Sequence, residues 1–231
     1  MASALHLAGA RVAFTSRSAE RARTTEDRMT GAIGPVADAR DVASVASAVE
    51  TAWERLEGIN MLVNNAGIGM ISVNPDFMTR PQPFWDVSPD VFRAVVDTNL
   101  TGYFLAAREV VPRMLESDGG RVVNISISHA TMTRAGFVPY GPSRAGSEAL
   151  SHVMAEDLRG SGVTVNTLLP GGATRTGMVP DGPPSGTINL LEPEIMGPPI
   201  VWLASAEAAG VHDEVIVAQQ FQEWLQARGQ A

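Results

Sequence analysis

Along the chain the hydrophobic positions switch repeatedly between a helical and a strand period. Residues 1–9 read as the tail of a helix that stops at Gly9, without the basic start of a secretion signal. Residues 11–15 follow as a buried strand, 19–30 as a charged helix and 33–39 as a weak strand. Over residues 41–56, Val42, Val45, Val49, Ala52 and Trp53 recur at helical spacing. Residues 59–63 make a short apolar strand that runs into Asn64, Asn65, Ala66 and Gly67. A polar loop with Pro75, Pro81 and Pro83 then leads to Ser88-Pro89-Asp90, an N-cap with proline at the first helical position. The long helix beyond it places Phe92, Val95, Val96, Tyr103, Phe104, Ala107, Val110 and Met114 on one stripe. A strand over 121–127 and a helix over 140–159, stopped by Gly160 and Gly162, come next. The strand over 163–169 runs into Pro170-Gly171-Gly172 and a Gly/Pro-rich loop over 171–198; a helix end at 199–205 and a last strand at 215–218 complete the pattern. Strands alternating with helices predict an α/β fold with a mostly parallel sheet, in one domain spanning 1–231.

Composition narrows the function. A net charge of −8 argues against a general nucleic-acid or anionic-membrane binder. No apolar run reaches the roughly 20 residues of a membrane span, so a cytoplasmic location is the default expectation. With no cysteine, thiolate metal sites and a cysteine nucleophile are excluded, and the four histidines lack metal-ligand spacing, so no metal is expected. All 17 basic residues are arginine, which rules out chemistry on a lysine amine.

Ligands on open parallel sheets sit beyond the carboxyl ends of the strands, and unusual polar residues fall there. Asn99 lies on the apolar stripe of its helix and needs hydrogen-bond partners, a need that structure alone can account for. Asn124, Ser126 and Ser128 share one strand face. Tyr140 and Arg144 are four apart on one helix face, where a guanidinium favours phenolate and equips the tyrosine to exchange a proton with a substrate oxygen. A surface arginine stacked on an aromatic ring is the plainer reading of the same pair.

Taken in order, Asp41-Val42, Asn64-Asn65-Ala66-Gly67, Asn99-Leu100-Thr101-Gly102, the strand ending at Ser128, Tyr140-Gly141-Pro142-Ser143-Arg144 and Pro170-Gly171 resemble the short-chain dehydrogenases/reductases. The resemblance covers nearly the whole chain and implies a Rossmann-like, doubly wound sheet. It implies that Tyr140 is the catalytic acid/base, that Ser128 (with Ser126 as substitute) holds the substrate oxygen, and that Asn99 orients a water in a proton relay. Asp41 and Val42 would bind the adenine, and Asn65, Ala66 and Gly67 would line the adenosine side. Tyr140, Arg144, Pro170, Gly171 and Thr176, with Thr174 as alternative, would face the nicotinamide. Arg17 after the first strand suits a 2′-phosphate, which favours NADP(H) over NAD(H). The expected substrate is a small carbonyl or alcohol, and the expected assembly is a homodimer or homotetramer packed around Phe104 and Leu150. Apolar residues of the 171–198 loop (Met178, Val179, Leu190, Leu191, Ile195, Met196) either wall an apolar ligand or pack the loop onto the body.

Two departures qualify the resemblance. The family opens with a strand and a Thr-Gly-x-x-x-Gly-x-Gly turn whose amides hold the cofactor diphosphate, and the 231 residues contain no such turn. A missing first unit would leave sheet edges unpaired, so a start placed too far downstream is the favoured expectation, with NADPH binding in the millimolar range or absent. The second departure is Arg144, where the family has lysine; arginine supplies charge but cannot release its proton. A Ser-Tyr-Arg set also resembles the halohydrin dehalogenases, which gives a cofactor-independent lyase as one alternative and a non-catalytic member of the fold as another.

Overall fold

Parallel strands cannot be joined by tight hairpins, and here helical crossovers join them. Strands β1 (Met61–Asn64), β2 (Gly120–Ile125), β3 (Val163–Leu169) and β4 (Val215–Val217) lie side by side in that order, each neighbouring pair parallel. The computed structural model describes residues 1–179 and 189–229. Its helices are α1 (Ala2–Leu7), α2 (Ala19–Arg28), α3 (Val42–Leu56), α4 (Pro89–Val96), α5 (Gly102–Leu115), α6 (His129–Met132), α7 (Tyr140–Asp157), α8 (Gly197–Ala204) and α9 (Phe221–Ala227).

Both faces of the sheet are covered, which is why the central strands read as apolar runs. Val122 joins Val45, Val49, Leu105, Val110 and Met114 in a core under α3, α5 and α7. Its neighbour Val123 joins Leu168, Ile200, Leu203, Ile216 and Leu225 under α8 and α9 on the other face. Both valines are completely buried, so the architecture is the doubly wound α/β fold the pattern predicts. Polar side chains bridge the strands inside the first core. Asn64 Nδ2 donates to Asn124 Oδ1 at 2.8 Å, and Asn124 Nδ2 donates to Ser151 Oγ at 2.7 Å. These amides fix the β1–β2 register, because a slip would leave them buried without partners.

β1 is an edge of this sheet. Residues 11–16 do not join it; they make a separate parallel ladder with residues 33–37 through Ala13–Ile33 and Ser16–Val36 pairs. Ile33 N donates to Val12 O at 3.0 Å and Phe14 N donates to Ile33 O at 2.8 Å. The strand expected over 11–15 is thus a short ladder in which only Val12 is fully buried. Between it and β1 lies a cavity of about 1110 Å3, with Val12, Ala13 and Phe14 on one wall and Met61, Leu62 and Val63 on the other.

The long helix expected after Ser88 is two helices joined by a π turn over Asp97–Thr101. Val95, Tyr103, Ala107, Val110 and Met114 face the core as predicted. Phe92 and Phe104 do not; they are 40% and 46% exposed, Phe104 lying about 100° round the helix from Tyr103. Helices α6 and α9 were not expected from the pattern, each being too short to show a period.

Candidate active site

The polar residues at the ends of β1 and β2 meet the N-terminal turns of α7 and the π turn between α4 and α5. Tyr140 is the first residue of α7. Its half-buried ring leans on Phe137, centroids 6.5 Å apart, at the margin of a small core of Met70, Phe77 and Phe137. Its hydroxyl makes no hydrogen bond among the described residues. Gly141 allows this helix start, since a Cβ there would stand 2.0 Å from the Met132 carbonyl oxygen.

Arg144, one turn on, is no surface arginine. It is 3% exposed, and its guanidinium carbon lies 5.5 Å from the ring centroids of both Tyr140 and Tyr103. Nη1 donates to the Tyr103 hydroxyl at 2.6 Å and to the Ile125 carbonyl at 2.9 Å. The Tyr103 hydroxyl in turn donates to the same carbonyl at 3.2 Å. Arg144 Nε is buried without a partner, and among the described residues no carboxylate pairs with this charge. Burial works against the charge and the neighbouring tyrosines favour it; arginine stays protonated through such shifts. Burial pushes the Tyr103 pKa up, with Arg144 pulling the other way.

Asn99, in the π turn and wholly buried, ties this corner together. Its Oδ1 accepts from Ile68 N at 2.9 Å, while Nδ2 donates to Ile68 O at 3.0 Å and to Ser143 Oγ at 3.1 Å. Gly67 passes between Asn99 and Arg144: a Cβ there would lie 2.5 Å from Arg144 Nη2 and 3.1 Å from Asn99 Oδ1. Ser128 is exposed at the start of α6, its Oγ 2.9 Å from Thr131 Oγ1. Ser126, the substitute weighed for it, is buried and donates to Glu148 Oε2 at 3.0 Å, which removes it from the site.

Other predicted residues spread along the strand ends. Asn65 and Ala66 are exposed immediately after β1, and Arg17 is exposed after the 11–16 ladder. Asp41 serves as the N-cap of α3, accepting from Ser44 N at 2.6 Å, and Val42 is the half-exposed first residue of that helix. Asp38 is the acid at the end of the 33–37 segment instead. The Arg40 side chain beside it, with help from Arg17, lowers its pKa to about 2. The sequence carried a signal for this cap: Asp41 stands immediately before the apolar-periodic residues of the helix, the N-cap position that aspartate favours. The contact of Tyr103 with Arg144 was also missed, because on a helix stripe a tyrosine counts as apolar.

Pro170 accepts from Gln219 N at 3.2 Å, and Gly171 takes φ +96° where a side chain would strike Val217 and Gln219. The Thr174 hydroxyl donates to Gly172 O at 3.3 Å and Thr176 Oγ1 accepts from Met178 N at 3.3 Å, so both are engaged with their own loop. Met178 folds over Gly69, where a Cβ would meet it at 3.1 Å. Met196 is core and Ile195 packs against that core, so this end of the loop is body packing. Residues 180–188 of the expected substrate loop lie outside the described residues. No helix among the described residues is long and apolar enough to cross a membrane, and they hold no group of three or more potential metal ligands.

Comparison with known proteins shows the family. A sequence profile of the short chain dehydrogenases matches residues 1–183. The chain is 29% identical over 184 residues to a 3-oxoacyl-[acyl-carrier-protein] reductase of Vibrio harveyi, covering 76% of this chain and 71% of that protein. It is 32% identical over 174 residues to D-threitol dehydrogenase of Mycolicibacterium smegmatis, covering 74% and 63%. Several curated relatives are thus matched over less than two thirds of their length. A crystal structure of a dehydrogenase/reductase from Sinorhizobium meliloti 1021 superposes with a TM-score of 0.80 at 30% identity, covering 94% of this chain and 86% of that one. A buried Asn99, a tyrosine ring over a buried cation, and a profile match across four fifths of the sequence lead to one conclusion: the chain belongs to the short chain dehydrogenase family of oxidoreductases.

Proposed function

We propose that the protein interconverts a secondary alcohol and a ketone of apolar character, using NADP(H). The observation that carries this is Tyr140, whose unpartnered hydroxyl stands at the rim of an apolar patch with the Arg144 guanidinium beside its ring. In the reductive direction Tyr140 Oη gives its proton to the carbonyl oxygen, and Ser128 Oγ holds that oxygen by a hydrogen bond. Arg144 lends fixed positive charge and keeps its own proton. Asn99 acts through its grip on Ile68 and Ser143, which sets the floor of the site.

The residues present suit both ends of the dinucleotide. Arg17 and Asp38 with Asn65, Ala66 and Gly67 would hold the adenosine half, Arg17 taking the 2′-phosphate. Arg144, with Nε buried and unpartnered, and Pro170, Gly171 and Thr176 would face the nicotinamide end. When bound, NADP(H) supplies or accepts the hydride. The described residues offer no glycine-rich turn for the diphosphate, so Kd is expected in the millimolar range: each missing charge-assisted bond costs about 1.5–3 kcal/mol. Exposed Phe104 on α5 and Val153 on α7, 46% and 58%, support a homo-oligomer packed through these helices.

The test is NADPH-dependent reduction of a panel of apolar ketones. Tyr140→Phe is expected to lower the rate by 10²–10⁴-fold with the fold intact. A rate that survives this change refutes the assignment, and halide release from halohydrins without nicotinamide would favour the lyase instead.

A further inference from the structure

A buried guanidinium ordinarily faces a carboxylate, because an uncompensated charge in a protein interior is costly. Arg144 has none among the described residues. The chain has two tyrosines, and both lie against this one side chain. They are not equivalent. Tyr103 is 1% exposed on α5, and its hydroxyl accepts from Arg144 Nη1 while donating to Ile125 O. Arg144 Nη1 donates to that same carbonyl, so three groups close a triangle at the end of β2. Tyr140, by contrast, has its ring beside the guanidinium, 5.5 Å from centroid to guanidinium carbon. The other terminal nitrogen, Nη2, is pressed against the Gly67 backbone.

We propose that Tyr103 is a positioning residue of the active site: its hydroxyl anchors one end of the Arg144 guanidinium on the Ile125 carbonyl, so that the rest of the cation is presented to Tyr140 and to the loop at Gly67. The planar guanidinium donates in fixed directions and needs an acceptor placed for each, whereas an ammonium turns its three donors freely. Tyr103 therefore belongs with arginine at position 144, and a lysine there has no need of it. The functional part rests on Tyr140 being the acid/base; the anchoring itself does not.

Two measurements keep those parts separate. With 15N-labelled arginine, the Arg144 guanidinium, identified by its loss in Arg144→Lys, is expected to give resolved, slowly exchanging Nη1H2 signals, because that end is held by two acceptors. Tyr103→Phe is expected to collapse them by freeing rotation and exchange; unchanged signals in a folded Tyr103→Phe protein overturn the anchor whether or not the protein is a reductase. In ketone reduction, Tyr103→Phe is expected to lower kcat ten- to a hundredfold with the ketone KM within threefold. The same substitution made on Arg144→Lys is expected to change kcat by less than twofold. An equal loss in both backgrounds means that Tyr103 acts independently of Arg144, and the proposal fails. Should Tyr103→Phe not fold, Tyr103→Met serves both comparisons. If no ketone is reduced by the unaltered protein, the functional reading fails and the NMR result alone decides the anchor.

Discussion

Replacing Asn99 by leucine removes three hydrogen bonds while nearly conserving volume. Two of them hold the peptide groups of Ile68, N–H and C=O alike, at 2.9 and 3.0 Å. The third goes to Ser143 Oγ, which keeps its own bond to Tyr140 O at 2.8 Å and loses little. The cost thus comes mainly from two half-buried backbone groups left without partners, at about 1–2 kcal/mol each. The sum is about 2–4 kcal/mol. For a chain of this length about 1 kcal/mol moves Tm by 2–4 °C, so Asn99→Leu is expected to lower Tm by roughly 5–15 °C. Asn99→Asp gives an internal control. It keeps an acceptor for Ile68 N and sets a carboxylate near Arg144 Nη2, since both groups crowd the position of a Gly67 Cβ. Its loss is expected to be about half as large. Urea unfolding followed by circular dichroism, with unchanged m-values, measures both. A change within 0.5 kcal/mol for Asn99→Leu, or a greater loss for Asn99→Asp, would refute the claim that Asn99 holds the 67–68 loop beneath the guanidinium.

Further expectations follow from individual contacts. Gly141→Ala drives a Cβ to 2.0 Å from a backbone oxygen that cannot retreat without moving α6; it should cost more than about 3 kcal/mol and yield insoluble protein, whereas normal expression would show that the α6–α7 contact is soft. Asp38 has its pKa lowered in the folded state to about 2, so its pairing with Arg40 stabilises the fold above about pH 4 and is lost as pH falls towards 2. Both partners are a third or more exposed, so the gain is screened: Asp38→Asn should cost less than about 1 kcal/mol at neutral pH, and an unfolding titration that gave several times this would contradict the geometry. Titration of NADPH fluorescence should give a millimolar Kd, and micromolar affinity would mean that donors other than a glycine-rich turn hold the diphosphate.

Much of the architecture was legible because a doubly covered parallel sheet writes itself as apolar runs between glycines. Strand β3 occupies the residues read for it, bracketed by Gly162 and Pro170-Gly171. The same logic located Tyr140 and Arg144 on one helix face. What it could not see were partners supplied from other elements. Strand alternation places Ser126 and Ser128 alike, but Glu148 on the facing helix claims the first. The stripe of α5 counts Tyr103 with Val110 and Met114, and only the meeting of α5 with α7 shows that its hydroxyl receives Arg144. Asp41 shows a different limit: two aspartates lie three residues apart, and only the fold shows that the helix cap takes this one.

The π turn before α5 also governs phase. Val95, Asn99 and Tyr103 must all point inward, towards the core, the Ile68 loop and Arg144 respectively. Over the eight positions from Val95 to Tyr103 a regular α-helix overshoots two full revolutions by roughly 80°, enough to carry the tyrosine off the buried face. Spending one extra residue on a single revolution absorbs most of that overshoot. Asp97–Thr101 therefore acts as a rotational spacer between two rigid rods. Inserting one further residue there would keep every hydrophobic side chain of α5 and yet swing Tyr103 about 100° away from the arginine, so the length of this turn is as much a part of the site as any side chain in it.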